Sequence, residues 1–454
     1  MSFKVISPVT GEQIKEIPAW NGGQIESALA QVAKVTPGWA ATPMFERCVL
    51  MHEAGAVLRR NRDRYAAIIS EEMGKLIKDA RAEVEKCATV CEFYAEKGPG
   101  FLADEPLPSN ASESYVAYLP LGTVLAVMPW NYPFWQVMRF AAPALVAGNT
   151  GLLKHASNVP QCALALEEVF NEAGFPAGVF RSLMIRASQV QKVIEDPRVQ
   201  AVTLTGSEPA GRQVAATAGR ALKKCVLELG GSDAFIVLED ADLDEAAKWA
   251  VASRYLNTGQ SCIAAKRFIL VDAIAEDFLT RFKASVEALQ AGDPLDEKTT
   301  LAPMAREDLR DELHAQVSES ISGGAVALTG CHPLDRPGAY YAASILDRVE
   351  PGMLAYDNEL FGPVAIVIRA RDEEDALRIA NDTPYGLGGS VWTRDSQRGV
   401  ALARRVESGC TYVNGMVKSD PRLPFGGIKN SGFGRELSQH GIREFVNAKT
   451  IWVK

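Results

Sequence analysis

A thiol within reach of a small molecule is the first chemical feature this chain offers, and it lies in Asn257-Thr-Gly-Gln-Ser-Cys262. Upstream, Leu243, Ala246, Ala247, Ala250 and Val251 share one face at helical spacing, and Asp242 stands where a cap would, which predicts a helix over 242–256. Downstream, Arg267-Phe-Ile-Leu-Val271 is a short apolar run of strand type. Cys262 therefore falls in a connection. Gly259 is suited to end the helix in a left-handed conformation and lets the backbone approach a ligand. A loop thiol is open to substrate, whereas a thiol on an apolar helix face is not. The plain alternative is a small residue filling a turn.

The elements that would position such a thiol come from an alternation of strand and helix. Strands are predicted at 122–128, 151–154, 179–184, 199–205 and 225–229, with helices at 134–146 and 160–173 between the first of them. This pattern implies a parallel doubly wound sheet, with ligands beyond the carboxyl ends of its strands. Polar groups stand there in turn: Trp130 and Asn131, Lys154, Thr205-Gly-Ser207 and Glu228. No Gly-x-Gly-x-x-Gly fingerprint is present. Gly206-Ser-Glu-Pro-Ala-Gly211 comes nearest, and its free amides would suit a phosphate or simply begin a helix. After Gly230-Gly231 a second α/β region holds a strand at 234–238, the Cys262 loop, an amphipathic helix through Phe278, Phe282 and Val286, and a strand at 364–368. Residues 1–20 read as an edge hairpin, 23–35 and 45–97 as mostly helical, and 105–114 as a Pro- and Ser-punctuated domain edge. The Gly-rich stretch 414–436 predicts a shaped loop, and 450–453 a strand added to another subunit.

With 454 residues the chain exceeds what one core usually supports, so two or more domains are expected. A net charge of −8 without a basic run argues against nucleic acid or an anionic membrane as partner. No signal-peptide core and no apolar run of membrane-spanning length is visible, which points to a cytoplasmic protein. The eight cysteines lack paired metal-type spacing and only five histidines occur, so free thiols in a reducing compartment and no metal site are expected.

Six stretches together carry a resemblance: Pro129-Trp-Asn-Tyr-Pro133, Leu204-Thr-Gly-Ser207, Leu227-Glu-Leu-Gly-Gly231, Gly259-Gln-Ser-Cys262, Glu359-Leu-Phe-Gly-Pro363 and Pro424-Phe-Gly-Gly427. In order and approximate spacing the chain resembles the aldehyde dehydrogenase superfamily over nearly its whole length. The resemblance implies a Rossmann-like cofactor domain (1–105 and 122–229), an α/β catalytic domain (230–429) and a small β oligomerisation element (106–121 and 430–454). It further implies a homodimer or homotetramer acting on a small aldehyde.

An aldehyde loses hydride readily only from a tetrahedral adduct, which a Cys262 thiolate would form before holding the product as a thioester. The Asn131 amide and the Cys262 N–H are the candidate donors to the oxyanion. Glu228, in the apolar strand end Val226-Leu-Glu-Leu-Gly230, should have a raised pKa and activate the hydrolytic water. Its retention argues against the runner-up, an enzyme passing the acyl group to CoA. A cysteine hydrolase would need a histidine in a relevant motif, and none is found.

Cofactor contacts implied by the resemblance are Lys154 at the adenosine ribose, Glu359 at the nicotinamide ribose and Phe361 beside the nicotinamide. Pro129, Trp130, Thr205, Gly206, Ser207 and Leu229 line the same site. Ser157 stands where many members carry a glutamate that binds the ribose 2′-hydroxyl. A serine beside Lys154 can donate to a 2′-phosphate that a carboxylate would repel, which favours NADP, with NAD as the alternative; the competing role for Ser157 is a helix cap. Arg139 falls at a substrate-tunnel position that is often aromatic or apolar in this family. With Ser419 and Arg422 it would grip a carboxylate at the far end of the aldehyde, as in the succinate semialdehyde dehydrogenase branch, another short aldehyde being the alternative.

Overall fold

Two parallel-rich sheets organise the chain, each arising where apolar runs alternate with amphipathic helices. The computed structural model describes residues 2–454. In the first sheet, β1 (Thr123–Met128), β2 (Thr150–His155), β3 (Phe180–Ser182), β4 (Val199–Thr205) and β5 (Lys224–Glu228) run parallel in the order β5-β4-β1-β2-β3. Val124, Leu125 and Ala126 are fully buried, as expected of a parallel strand with both faces covered. The chain winds outward from β1 to β3 and then returns to the other side of β1, so the order reverses between β1 and β4. A crevice opens at such a reversal. Residues 129–131 leave β1 beside it, and Thr205 ends β4 beside it.

Two helices serve this crevice. α1 (Ile77–Phe101) packs against α2 (Trp135–Val146), which follows Asn131. Buried Glu83 of α1 accepts from the N–H groups of Phe134 and Trp135, each at 2.9 Å, and so caps α2 with a carboxylate where its dipole favours negative charge. Lys75 forms a buried ion pair with Glu83 and compensates that charge. The first turn of α2, and hence Asn131, is thereby held against α1.

The second sheet contains β6 (Asp233–Val237), β7 (Ala265–Val271), β8 (Ser344–Asp347), β9 (Val364–Ala370), β10 (Gly388–Trp392) and β11 (Cys410–Val413). Its parallel order is β8-β9-β7-β6-β10-β11, with Val326–Thr329 antiparallel on the edge at β8. α3 (Glu208–Arg220) follows β4, and α4 (Leu243–Tyr255) leads into the Cys262 loop. Asp242 caps α4 by accepting from the Glu245 N–H at 3.2 Å. The helix is stopped by three successive left-handed residues, Asn257, Thr258 and Gly259, with φ of 54°, 55° and 71°. The first two are held there by side-chain bonds described below. At the third, a Cβ would lie 2.2 Å from the Gly362 carbonyl oxygen, so only glycine fits.

The amino-terminal hairpin forms as expected, from Ser2–Ile6 and Gln13–Pro18. The carboxyl-terminal strand forms as expected but is longer than residues 450–453. It begins at Val446 and pairs along its whole length with Glu113–Pro120 of the same chain, in a three-stranded sheet with Glu105–Pro106. Eight residues of antiparallel ladder satisfy its backbone groups on one side. No helix among the described residues is long and apolar enough to cross a membrane.

Candidate active site

Cys262 leaves the end of α4 partly buried and lines a cavity of about 200 Å³, together with Trp135, Gln136, Arg139, Ser419 and Phe425. Its loop is fastened from several sides. The Asn257 amide donates to the carbonyls of Asn131 (2.9 Å) and Gln260 (3.0 Å), the Thr258 hydroxyl donates to Ala302 O (3.1 Å), and Gln260 Oε1 accepts from the Ala305 N–H (2.9 Å). Lys266, on β7, donates to the carbonyls of Ser261 and Cys262 at 2.8 and 2.7 Å. Burial pushes the thiol up to about 12, against the pull of the Arg139 and Lys266 charges. Without cofactor, then, the sulfur is mostly protonated at neutral pH. Its alkylation, followed by mass on the Cys262 peptide, should accelerate about tenfold per pH unit between about pH 7 and pH 9. A plateau near neutrality would contradict this environment.

Asn131 is buried, and its side chain reaches across to the Cys262 loop, donating to Gln260 O at 3.1 Å. A primary amide has two N–H donors, so the other remains for an incoming oxygen. The Cys262 N–H likewise has no acceptor among the described residues. Glu228 ends β5 with its side chain buried, and neither carboxyl oxygen has a hydrogen-bond partner. Burial raises its pKa well above the carboxylate range, and nearby Glu436 raises it further while Arg139 and Arg435 oppose. A neutral carboxyl with free lone pairs is a proton acceptor in waiting once it ionises.

On the cofactor side, Trp130 meets Phe361 edge to face at 5.9 Å, joining the end of β1 to the loop before β9. Glu359 pairs with Lys266 at 2.9 Å and lies against Gly230, where a Cβ would be only 2.4 Å from its second carboxylate oxygen. Arg254, fully buried in α4, donates to the carbonyls of Leu360 (2.9 Å) and Gly362, fixing this loop over the Cys262 turn. Lys154 lines a separate cavity of about 740 Å³ with Ser157, Asn158, Arg186 and Arg306, and burial lowers its pKa. The Asn158 amide there is buried with both polar atoms unpartnered. Ser157 is exposed and does not cap the next helix, which starts at Pro160 behind Val159. Thr205 and Leu229 are buried, and Pro129 lies beside them at the end of β1. At the start of α3, Gly206 N–H already donates to Glu228 O (3.0 Å) and Pro209 has none, so few of the expected free amides remain. The Ser207 hydroxyl makes no capping bond.

The substrate side departs most from expectation. Arg139 reaches the cavity but is buried in an ion pair with Glu436, beneath Phe425 at 4.8 Å, and donates to the Thr205 hydroxyl at 3.3 Å. Its charge is already answered inside the protein, because the Gly-rich turn 426–434 folds Glu436 back onto α2. Ser419 lines the cavity as anticipated. Arg422 does not: its side chain is 75% exposed and pairs with neighbouring Asp420 at 2.6 Å. Lys86, Lys266, Arg254, Glu83 and Arg186 carry or position the site without belonging to any of the six stretches. Only their burial or cavity-lining in the folded chain singles them out.

A loop thiol lining a small cavity, a buried and unpartnered carboxyl at the end of β5 and a second, larger cavity at Lys154 are the features an aldehyde-oxidising enzyme needs. The chain belongs to the aldehyde dehydrogenase family, whose profile matches residues 1–451. It is 50% identical, over all of both chains, to the probable succinate-semialdehyde dehydrogenase [NADP(+)] of Synechocystis sp.. It is 49% identical to the succinate semialdehyde dehydrogenase [NAD(P)+] of Escherichia coli, covering 98% of this chain and 97% of that one. The crystal structure of succinic semialdehyde dehydrogenase from Streptococcus pyogenes, in complex with NADP+, superposes with a TM-score of 0.97 at 38% identity, covering 99% of each chain.

Proposed function

We propose that this enzyme oxidises succinate semialdehyde to succinate with NADP, through a thiohemiacetal and then a thioester on Cys262. The carrying observation is the placement of Cys262 in a small cavity shared with basic side chains and Ser419. At roughly 30 Å³ per water, about 200 Å³ holds some six or seven waters, the bulk of a short aldehyde with a terminal acid. Cys262 loses its proton to solvent and attacks the carbonyl carbon as the thiolate; as the S–C bond forms, the C=O π pair moves onto the oxygen, which takes the negative charge. The Asn131 amide and the Cys262 N–H donate to it. When bound, the dinucleotide accepts the hydride. Glu228 then takes a proton from the water that hydrolyses the thioester, releasing the acid and restoring the thiol.

The dinucleotide fits the residues present. Lys154 lacks any ion pair among the described residues, and the orphaned Asn158 amide needs a partner. Lys154, Ser157 and Arg186 are donors for a 2′-phosphate, while Glu359, Phe361, Trp130, Leu229, Thr205 and the 206–207 turn would enclose the remainder. Ser157→Glu puts a like charge beside that phosphate, a contact of a few kcal/mol in a partly dry site. The ratio of kcat/KM for NADP over NAD is expected to fall by roughly 100-fold. Assaying a panel of short aldehydes, with and without a terminal acid, against both dinucleotides checks substrate and cofactor together. Preference for NAD in the unaltered enzyme, or equal rates with neutral aldehydes, would count against this reading.

The division into a cofactor unit (1–105 and 122–229), a catalytic unit (230–429) and an oligomerisation element (106–121 and 430–454) is supported by the sheets, since β1–β5 and β6–β11 fall on either side of residue 230. Gly432–Phe433 is an exception, closing the first sheet beside β5. The outer edge of Val446–Val453, unpaired within the chain, supports assembly as a homodimer or homotetramer. A cytoplasmic location is consistent with eight free cysteines.

A further inference from the structure

Among the basic residues lining the Cys262 cavity, one that is at least partly buried is left without a counter-ion. Lys75 is paired with Glu83, Arg139 with Glu436, and Lys418 is exposed. Lys86 projects from α1 into the cavity, partly buried, with its Nζ 4.0 Å above the Trp135 ring and donating to Ser419 Oγ at 2.7 Å. It forms no ion pair among the described residues. An ammonium has three N–H donors, and here one hydroxyl and one aromatic face engage it. The remaining donors point to an anionic ligand, because a buried charge without a partner is costly.

We propose that Lys86, with Ser419 positioned beside it, is the residue that selects aldehydes bearing a terminal carboxylate, by pairing with that carboxylate while the aldehyde carbon lies at Cys262. This rests on the substrate reading given above and assigns its charge recognition to a residue outside every sequence motif. Arg139 then acts as a positioning residue, its guanidinium tied to Glu436 and Thr205 rather than offered to the ligand. The Trp135 ring and Ser419 hydroxyl fix Lys86 in place before substrate arrives, so little side-chain freedom is lost on binding.

The groups facing Lys86 are Glu83 and Cys87 on its own helix, Arg139 on α2 and Asp420 in the loop after β11; Asp79, Lys75 and Lys418 line the same cavity. Burial, reinforced by Arg139, lowers the Lys86 ammonium to about 8. Below that pH it carries the charge that attracts a carboxylate, and above it the attraction fades. The sign is therefore a loss of preference for acid-bearing aldehydes as pH rises, an effect that belongs to the free enzyme and enters kcat/KM.

The test compares kcat/KM for succinate semialdehyde with that for a neutral aldehyde of similar length, in the full-length enzyme and in Lys86→Met and Lys86→Arg. Lys86→Met should lower the ratio of the two values about 10- to 100-fold, mainly through KM for the acid. In the unaltered enzyme the ratio should decline above about pH 8, and in Lys86→Arg, which stays charged, that decline should vanish. A variant too unstable to assay is replaced by Ser419→Ala, for which a smaller fall in the same ratio is expected. If the unaltered enzyme prefers the acid-bearing aldehyde and Lys86→Met keeps that preference, Lys86 is not the selector although the substrate reading stands. If the unaltered enzyme shows no such preference, both fall.

Discussion

Cys262→Ala is expected to lose aldehyde-dependent reduction of NADP by on the order of 10⁴-fold or more, while binding of the dinucleotide, followed by quenching of protein fluorescence, is retained. The reasoning is local. The loop 257–262 is held by Asn257, Thr258, Gln260 and Lys266 through bonds to other elements, none of which involves the sulfur. Removing one sulfur atom therefore leaves the turn in place and deletes only the nucleophile. Without the covalent adduct the aldehyde carbon has no route to a hydride-donating tetrahedral state. Residual oxidation at a tenth of the normal rate would mean that another group performs the attack.

Glu228→Gln should separate the two halves of the reaction. Because neither Glu228 oxygen is engaged by a donor, the amide can be accommodated without breaking a bond. One equivalent of reduced cofactor per site is expected in a rapid burst, followed by turnover slowed by about 10²- to 10⁴-fold, the usual worth of a general base. Stopped-flow absorbance of the reduced nicotinamide measures both phases. The pH profile supplies a second reading. Burial and the neighbouring Glu436 raise the Glu228 pKa, so the base is protonated and idle at low pH and becomes competent as pH rises. Hydrolysis in the unaltered enzyme should accelerate with pH along that limb, and the glutamine variant should lack it. Equal loss of burst and turnover would remove Glu228 from the hydrolytic step.

Much of the fold was legible because strand and helix periodicities are local. The apolar run 199–205 marks the observed limits of β4, and the Asp242 cap and apolar face mark α4 to within a residue. The remainder depends on long-range pairing. The final strand runs from Val446, longer than its last four residues alone predict, since the partner that orders it lies more than 300 residues earlier, at Glu113–Pro120. Arg139 lines the Cys262 cavity, and its counter-ion Glu436, almost 300 residues later, is brought to it only by the fold. Arg422 lies near the cavity loop in sequence but turns outward to Asp420.

The amino-acid order alone determined the alternating α/β architecture, the loop carrying Cys262, and the glycines and strand ends around it, because those depend on neighbours a few residues apart and on short motifs. Tertiary structure alone decided which charges are free. Glu83 is consumed in capping α2, Arg139 in pairing with Glu436, and Lys266 in holding Glu359 and the Cys262 carbonyl. Lys86 alone among the partly or fully buried cations of the cavity is left unpaired. Charge compensation is set by which side chains meet across distant elements, and burial magnifies each such meeting, so no periodicity or spacing along the chain encodes it.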